Sequence, residues 1–231
     1  MYLEKIYIKN FRNIENESLN PSVGINLLFG NNAQGKTNFL EAIYVTSNLK
    51  SFRAKKNSEI INFDKNKATL NLKLNKNRVS NNITLELEND KKEIILNNKR
   101  TKKISKSLGF IDTILFYPDD IIIVKGSPLL RRNLIDRAIF QTDNSYLNLL
   151  QKYYHCLKQR NSSLKNGITD ASLWDTQFSE LATIITYYRI SYIERINLIL
   201  DHNFKEIYKY EESVKINIRF QKYLKMISKI I

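Results

Sequence analysis

Alternating apolar and polar residues in the first hundred positions predict a β-rich region interrupted by one helix. Residues Tyr2 to Lys9 alternate with the period of two that is typical of a half-buried strand. The compact apolar run Ile25–Phe29 predicts another strand, which ends at Gly30, and the apolar spacing becomes helical from Lys36 onward. Short alternating runs separated by turn residues then predict a meander of antiparallel strands, at Ala68–Leu74, Ile83–Glu88 and Glu93–Asn97.

The pattern changes from strand to helix near Asp112. Thr113–Tyr117 is a short predicted strand that Pro118 stops, and Pro128 suits the first turn of a helix because its fixed φ is helical. The sequence has no sustained heptads, so we do not expect a long coiled coil. The remaining predicted elements are three helices and a final strand, at Pro128–Phe140, Tyr146–Leu164, Leu173–Tyr208 and Val214–Phe220.

The composition suits a folded protein of one or two domains. Of the 231 residues 42% are hydrophobic, which excludes a disordered protein. The longest uninterrupted apolar runs, such as Ile121–Val124, are too short to span a membrane. Cys156 is the only cysteine, which excludes a disulfide scaffold. Because Glu4, Lys5 and Lys9 interrupt any apolar signal core, we expect a cytoplasmic protein without a membrane partner.

Positive charge is concentrated in one part of the chain. The formal net charge is +14, and residues 50–110 carry 16 Lys and Arg against 6 Asp and Glu. This concentration favours a polyanionic partner, because neutralising phosphates releases bound counterions. A lysine-rich solvated surface, as an A/T-biased coding sequence would produce, explains the charge equally well. The first candidates for contacts with a DNA backbone form the densest basic cluster, namely Lys99, Arg100, Lys102 and Lys103.

One segment carries a recognisable chemical motif. The phosphate-binding P-loop pattern G-x-x-x-x-G-K-[ST] is matched by Gly30, Asn31, Asn32, Ala33, Gln34, Gly35, Lys36 and Thr37. Glycine at both ends lets backbone N–H groups approach a phosphate closely, and the following helix N-terminus adds partial positive charge. Lys36 would supply a full positive charge to the β- and γ-phosphates, and the Thr37 hydroxyl would bind Mg²⁺.

The alternative to a P-loop is a glycine-rich turn capped by a solvated lysine. This alternative is disfavoured because the chain has only six glycines, so a chance match is rare. The motif also lies between a predicted strand and a predicted helix, as a P-loop requires. The motif therefore predicts a site for the phosphates of a nucleotide, but it does not indicate which reaction takes place there.

The residues around the motif resemble the RecF family of DNA recombinational-repair ATPases. Asn31–Tyr44, which reads NNAQGKTNFLEAIY, is similar to the P-loop region of that family, and Lys9–Asn13 resembles its opening strand and turn. The likeness extends to about Arg189. The central and helical-lobe blocks of the family resemble Phe116–Asp120, Val124–Pro128, Arg131 to Asp136, Tyr146–Leu147, Leu157–Asn161 and Leu164–Lys165.

The resemblance implies an α/β fold, a P-loop NTPase head of the ABC and SMC type with an antiparallel β subdomain and a helical lobe. It implies an ATPase core with an inserted β-meander at residues 1–125, a helical lobe at 126–212, and the start of a return strand at 213–231. ATP and Mg²⁺ are the implied cofactors. In such proteins two heads close as an ATP-dependent dimer, one giving the P-loop and the other a signature motif.

The resemblance also implies a role in DNA replication, recombination and repair. Members of the family act at single-strand gaps and stalled replication forks and bind single-stranded and double-stranded DNA. RecO and RecR are the implied protein partners. The basic surface suits such a substrate, since phosphate contacts do not depend on base sequence.

The signature motif and the acidic Walker B strand of the family are missing from this sequence. Two segments imitate an apolar strand that ends in acidic residues. Pro118 interrupts the first, Ile114–Asp120, and the second, Leu198–His202, lies inside a helical pattern. We therefore expect a truncated or split-gene product that exposes apolar sheet surface and unpaired edges. We expect weak ATP binding and no turnover by this chain alone, because no acidic residue orders Mg²⁺ and the attacking water.

Other reactive side chains give weaker signals. His155 and Cys156 are neighbours on a predicted helix and point in different directions, so they do not suit a nucleophile and its base. His202 stands alone, and no Cys and His spacing suggests zinc. Two interpretations remain open for each of three arginines, which are Arg12, Arg131 and Arg132. Each would either contact a nucleotide or DNA, or have a structural or surface role.

Two other functions stay open for the sequence. The first is a small-molecule or nucleoside kinase, which would need a lid and an acceptor pocket. A β-meander after the P-loop helix fits an ATPase head better than a kinase. The second is a fragment that binds DNA or a partner without ATP chemistry, and ATP dependence of DNA binding would separate it from an ATPase head.

Overall fold

The protein divides into a β-rich unit and a helical unit. A computed structural model describes residues 1–89, 91–101, 111–166, 172–209 and 212–219. The first compact unit comprises Met1–Asp120 and the second Ile121–Ile231. The change from strand to helix near Asp112 is therefore confirmed. None of the helices in these ranges is both long enough and apolar enough to cross a bilayer.

A six-stranded antiparallel sheet forms the centre of the first unit, in the order β2-β1-β3-β4-β5-β6. Its strands are β1 (Tyr2–Phe11), β2 (Ile14–Leu19), β3 (Lys67–Lys76), β4 (Val79–Glu88), β5 (Lys92–Leu96) and β6 (Lys99–Thr101). The predicted meander is confirmed. Two edge strands, β2 and β6, were not predicted, because one is almost wholly polar and the other has three residues.

Two hairpins of the sheet are closed by two-residue turns with positive φ at both positions. Asn77 and Arg78 join β3 to β4 with φ of 54° and 65°, and Asn97 and Asn98 join β5 to β6 with φ of 46° and 66°. Turns of this hand match the right-handed twist of the flanking strands. Asparagine tolerates the left-handed region better than most residues, which explains three of the four positions.

One face of the sheet is buried under a helix, α1 (Lys36–Asn48), which contacts β1, β3 and β4. Ala42 and Val45 of α1 are fully buried against the sheet. The alternation of β1, β3 and β4 places an apolar row on this face, which includes Ile6, Ile8, Leu70, Leu72, Ile83 and Leu85. The sheet therefore anchors the helix that follows the P-loop.

Two predicted strands of the first unit are wrong. Ile25–Phe29 and Thr113–Tyr117 form no strand, because no strand of the described ranges lies beside either backbone. Apolar residues at strand-like spacing favour an extended backbone, but a strand also needs a neighbouring strand for its hydrogen bonds. Five apolar side chains of these segments are 81 to 100% exposed: Ile25, Leu27, Phe29, Ile114 and Phe116.

Within the described ranges four helices form the second unit, and the three predicted helices are confirmed. They are α2 (Ile122–Lys125), α3 (Pro128–Thr142), α4 (Asn144–Lys165) and α5 (Ser172–Tyr208). Pro128 is the first residue of α3, as its fixed φ predicts. The helices pack around a core that includes Ile139, Tyr146, Leu150 and Ile185.

A buried ion pair ties three of these helices together. Asp136 of α3 accepts hydrogen bonds from Arg189 of α5, Nε to Oδ1 and Nη2 to Oδ2, both at 2.7 Å. The hydroxyl of Tyr146 on α4 donates to Oδ1 at 2.6 Å. Burial, and then the Asp136 carboxylate, raise the pKa of Tyr146, so its hydroxyl stays a donor.

The predicted return strand at Val214–Phe220 is also wrong for the part that can be described. Residues 212–219 form no strand, and Phe220 lies outside the described residues. The side chain of Asn197 on α5 bonds both the N–H and the carbonyl oxygen of Ile216, each at 2.9 Å. Asp201 accepts the N–H of Val214 at 3.1 Å. Side chains of α5 therefore bond the backbone of Val214 and Ile216, whereas a strand would be bonded by the backbone of a neighbouring strand.

Candidate nucleotide-binding site

The segment Gly30–Thr37 is a largely exposed loop that leads directly into α1. Helix α1 begins at Lys36, so Lys36 and Thr37 occupy its first turn. The N–H groups of a first turn have no acceptor within their own helix and carry partial positive charge. The helix context of the motif is therefore confirmed, whereas the preceding strand is replaced by an extended segment.

Three residues of the loop adopt positive φ: Gly30 at 139°, Ala33 at 66° and Gly35 at 92°. Its positive φ favours glycine at Gly35, and a Cβ there would lie 3.2 Å from Oδ1 of Asn13, a tight contact. Gly30 has open space around it, so its requirement is conformational. The left-handed Ala33 was not predicted, since alanine carries no signal for that conformation.

The ammonium group of Lys36 folds back over the loop. Its Nζ donates to the carbonyl oxygens of Gly30 at 2.8 Å and Asn31 at 2.5 Å. The charge is thus held above the loop backbone, beside the N-terminus of α1. Thr37 is exposed at the same end of the helix. The donor set of N–H groups, one ammonium and one hydroxyl fits a nucleotide phosphate with Mg²⁺.

A residue from the turn between β1 and β2 braces the loop. The side-chain Nδ2 of Asn13 donates to the carbonyl oxygen of Ala33 at 3.0 Å. Its Oδ1 accepts from Nδ2 of Asn38 on α1 at 2.6 Å. Sequence reasoning did not name Asn13 or Asn38 as site residues; the available signal was the similarity of Lys9–Asn13 to the family.

A fully buried carboxylate organises the region next to the loop. Glu41 of α1 accepts from Nε and Nη2 of Arg12 at 3.0 and 2.8 Å. Arg53 and Ser51 also donate to this carboxylate. Arg53 donates in addition to Oδ1 of Asn38 at 2.6 Å. Glu41 was not predicted as a site residue, because a carboxylate on a helix usually faces solvent.

Arg12 serves as the anchor of a turn in this geometry. Besides the two bonds to Glu41, its Nη1 donates to the carbonyl oxygen of Glu59 at 2.6 Å. The guanidinium thus joins α1 to the 3₁₀ helix Asn57–Glu59. Of the two interpretations of Arg12, these contacts favour the structural one.

The ionisation of Glu41 is expected to contribute to folding stability. Burial opposes its charge, but hydrogen bonds from Arg12, Ser51 and Arg53 outweigh that effect and hold the pKa of Glu41 below its ordinary value. A lowered pKa stabilises the fold above the unfolded-state value of about 4.3, and that stabilisation is lost as the pH falls through the folded-state pKa.

Replacing Glu41 with glutamine should therefore lower Tm near neutral pH, and the deficit should shrink towards about pH 3, because glutamine carries no charge to lose. Thermal unfolding followed across this range measures the difference. Glu15→Gln, at an exposed position of β2, is the matched control and should leave Tm unchanged throughout. A Tm deficit for Glu41→Gln that stays constant with pH would contradict the assignment.

Comparisons with known proteins show what this chain is similar to. The model of the "RecF/RecN/SMC N terminal domain" matches residues 2–115. "DNA replication and repair protein RecF" of Geotalea daltonii is 33% identical over 220 residues, which cover 95% of this chain and 60% of the relative. The RecF protein of Clostridium botulinum strain ATCC 19397 is 36% identical over 212 residues, 90% of this chain and 58% of the relative.

This chain matches the amino-terminal part of RecF proteins. A solved structure of the recombination mediator protein RecF with ATP in the RecFOR pathway superposes with a TM-score of 0.83 at 33% identity. It is matched over 90% of this chain and 58% of the solved one. The predicted ATPase-head fold is confirmed. The chain spans about 60% of the length of the curated RecF relatives it matches.

The two segments that imitate a Walker B strand have local structural roles in this chain. Asp119 and Asp120 lie in the 3₁₀ helix Pro118–Ile121, where Oδ2 of Asp120 accepts the N–H of Tyr117 at 2.9 Å. Asp201 lies within α5 and pairs with Lys205 at 2.9 Å. Neither acidic segment therefore ends a strand as a Walker B motif does.

The cysteine and the two histidines considered as candidates lie on α4 and α5. Cys156 is buried and its thiol contacts the carbonyl oxygen of Trp174 at 3.6 Å, whereas His155 and His202 are exposed. Burial raises the pKa of the Cys156 thiol, which disfavours a reactive thiolate. Within the described ranges, three or more His, Cys, Asp or Glu side chains nowhere gather as a metal site would require.

The basic candidates separate into paired and capping residues. Arg131 donates to three carbonyl oxygens at the end of α2, those of Ile123, Val124 and Gly126, so it caps that helix. Arg132 is exposed. Arg100 pairs with Glu93 at 3.0 Å, and Lys99 is exposed. Lys102 and Lys103 lie outside the described residues.

Proposed function

We propose that this chain binds ATP with Mg²⁺ at Gly30–Thr37, as part of a RecF-type protein of DNA replication, recombination and repair. The observation that carries the proposal is the loop geometry, with its positive-φ residues and the Lys36 ammonium held over the backbone. The solved RecF structures that it resembles contain ATP or an ATP analogue. No observation favours a kinase.

Each group of the loop has a distinct role in this proposal. Backbone N–H groups from Asn31 to Thr37 and the ammonium of Lys36 would hold the phosphates, and the Thr37 hydroxyl would be a ligand of Mg²⁺. Bound Mg²⁺ supplies positive charge that neutralises the phosphates. Asn13 holds the loop from outside through its bond to the carbonyl oxygen of Ala33.

The proposal extends to DNA and to protein partners. Single-strand gaps and stalled forks are the proposed sites of action, with binding to single-stranded and double-stranded DNA. RecO, RecR and a second copy closing with ATP are the proposed partners. The net charge of +14, the names of the curated relatives and the mention of the RecFOR pathway for the solved structures support this part.

We propose binding without turnover for this chain alone. Hydrolysis needs an acidic group that orders Mg²⁺ and water. Asp120 and Asp201 are engaged in local contacts instead. Steady-state hydrolysis that disappears with Lys36→Ala would overturn this part of the proposal.

Binding assays on the purified chain test the whole proposal. Fluorescent ATP should bind in the presence of Mg²⁺, and gapped duplex DNA should bind with an affinity that falls steeply with salt. DNA binding should be tighter with ATP than without it. DNA binding that does not depend on salt would contradict the DNA part, and equal binding with and without ATP would favour a fragment without ATP chemistry.

A further inference from the structure

Two basic segments that are distant in sequence meet on the surface of the first unit. The loop after α1 carries four cations and no carboxylate, namely Lys50, Arg53, Lys55 and Lys56. The turn between β4 and β5 carries Asp90 and Lys91 in the sequence, and Lys92 is the first residue of β5. Nζ of Lys92 donates to the carbonyl oxygen of Leu49 at 2.5 Å, and the Asn57 side chain donates to that of Glu88 at 3.0 Å.

Several cations elsewhere on this unit are neutralised by neighbouring carboxylates. On the sheet, Lys67 pairs with Glu86 at 2.8 Å and Lys73 with Glu4 at 3.2 Å. Among the residues that the structure describes, by contrast, no carboxylate forms an ion pair with any of four exposed lysines: Lys50, Lys55, Lys56 and Lys91. Their charge is therefore available to a partner.

Two lysines of these segments, Lys50 and Lys92, repel each other. Burial first, and then repulsion from Lys50, lower the pKa of Lys92. A polyanion placed here would relieve that repulsion and release its own counterions. The chemistry of the surface thus favours phosphates.

The loop is held in a fixed shape by the network next to the P-loop. The hydroxyl of Ser51 donates to Glu41 and accepts the N–H groups of Arg53 and Ala54 at 2.9 and 2.8 Å. Arg53 is used in the same network. Lysines carried by such a loop lose less conformational freedom on binding than lysines on a mobile segment.

We propose that Lys50, Lys55, Lys56 and Lys91 form a surface that binds the phosphate backbone of DNA, which we call the basic loop surface. The inference rests on the proposed DNA-binding function. It replaces the cluster around Lys99 as the first candidate for backbone contacts. Contacts of this kind should be insensitive to base sequence.

The test is a double charge reversal, Lys55→Glu with Lys91→Glu, in the full chain. Anisotropy titration with gapped duplex DNA should show at least about a 10-fold loss of affinity at low salt, equal for two unrelated DNA sequences. The slope of log K against log salt should decrease by about 0.9 for each duplex phosphate that the variant no longer neutralises. The matched control, Lys152→Glu with Lys158→Glu, reverses two exposed lysines of α4 and should change affinity by less than about 2-fold.

The outcomes separate this inference from the function on which it rests. Failure of the unaltered chain to bind DNA would refute both. Binding by the unaltered chain with equal losses in the two double variants, or with no loss in Lys55→Glu with Lys91→Glu, would refute the basic loop surface alone. If that variant does not fold, the neutral pair Lys55→Gln with Lys91→Gln provides the same measurement, and an unchanged salt slope would refute the surface.

Discussion

Replacing Lys36 with alanine is expected to weaken ATP binding by at least about 30-fold, or ~2 kcal/mol, because the variant has no ammonium group to bond the phosphates. The effect should be larger than the removal of one charge in water, since the ammonium also bonds the carbonyl oxygens of Gly30 and Asn31. Without it those two carbonyl oxygens lose this hydrogen-bond donor. Titration of the chain with fluorescent ATP in the presence of Mg²⁺ measures the change in affinity.

Lys65→Ala is the matched control for this variant. Lys65 is an exposed lysine of the same unit and lies outside the P-loop. The control should bind ATP as the unaltered chain does, and both variants should retain the circular dichroism spectrum. Retention of ATP affinity within about 3-fold in Lys36→Ala would remove the basis of the proposed site.

Replacing Asp136 with alanine is expected to destabilise the helical unit by about 3–5 kcal/mol. The carboxylate is 4% exposed and accepts three hydrogen bonds, so its removal leaves Arg189 and the Tyr146 hydroxyl buried without their acceptor. Such a destabilisation corresponds to a fall in Tm of roughly 10 °C for a chain of this size. Thermal unfolding followed by circular dichroism at the helix band measures it.

The control for Asp136 is an exposed pair in the same unit. Asp175 pairs with Arg160, with side chains 52% and 31% exposed, and Asp175→Ala should cost less than about 1 kcal/mol. Asp136→Asn keeps an acceptor oxygen and should fall between the two. Equal Tm losses in Asp136→Ala and Asp175→Ala would show that burial does not determine the strength of the ion pair.

Glu41 links the two proposed sites of the first unit. Its carboxylate holds Arg12 on one side and the loop of Ser51 and Arg53 on the other, and it lies on the same helix as Lys36. The same carboxylate therefore helps to position the loop that carries the basic loop surface. The pH dependence of Glu41→Gln and the DNA binding of Lys55→Glu with Lys91→Glu test the two ends of this connection separately.

Local sequence determined the position of the P-loop and most of the secondary structure. Gly35, Lys36 and Thr37 follow one another, so their spacing is set by the chain itself, and α1 places Lys36 and Thr37 on its first turn. The start of α3 follows from Pro128 in the same way. Periodic apolar spacing predicted β1 and β3 because both strands bury alternate residues on one face.

Only the tertiary structure decided which side chains meet. Glu41 lies 29 residues from Arg12 and 12 from Arg53, and no period connects these positions. The apolar runs Ile25–Phe29 and Thr113–Tyr117 failed as strands for the same reason, since pairing depends on a neighbour that local spacing does not reveal. Charge along the sequence likewise showed where lysines are frequent, but the folded chain determines which of them have a carboxylate beside them.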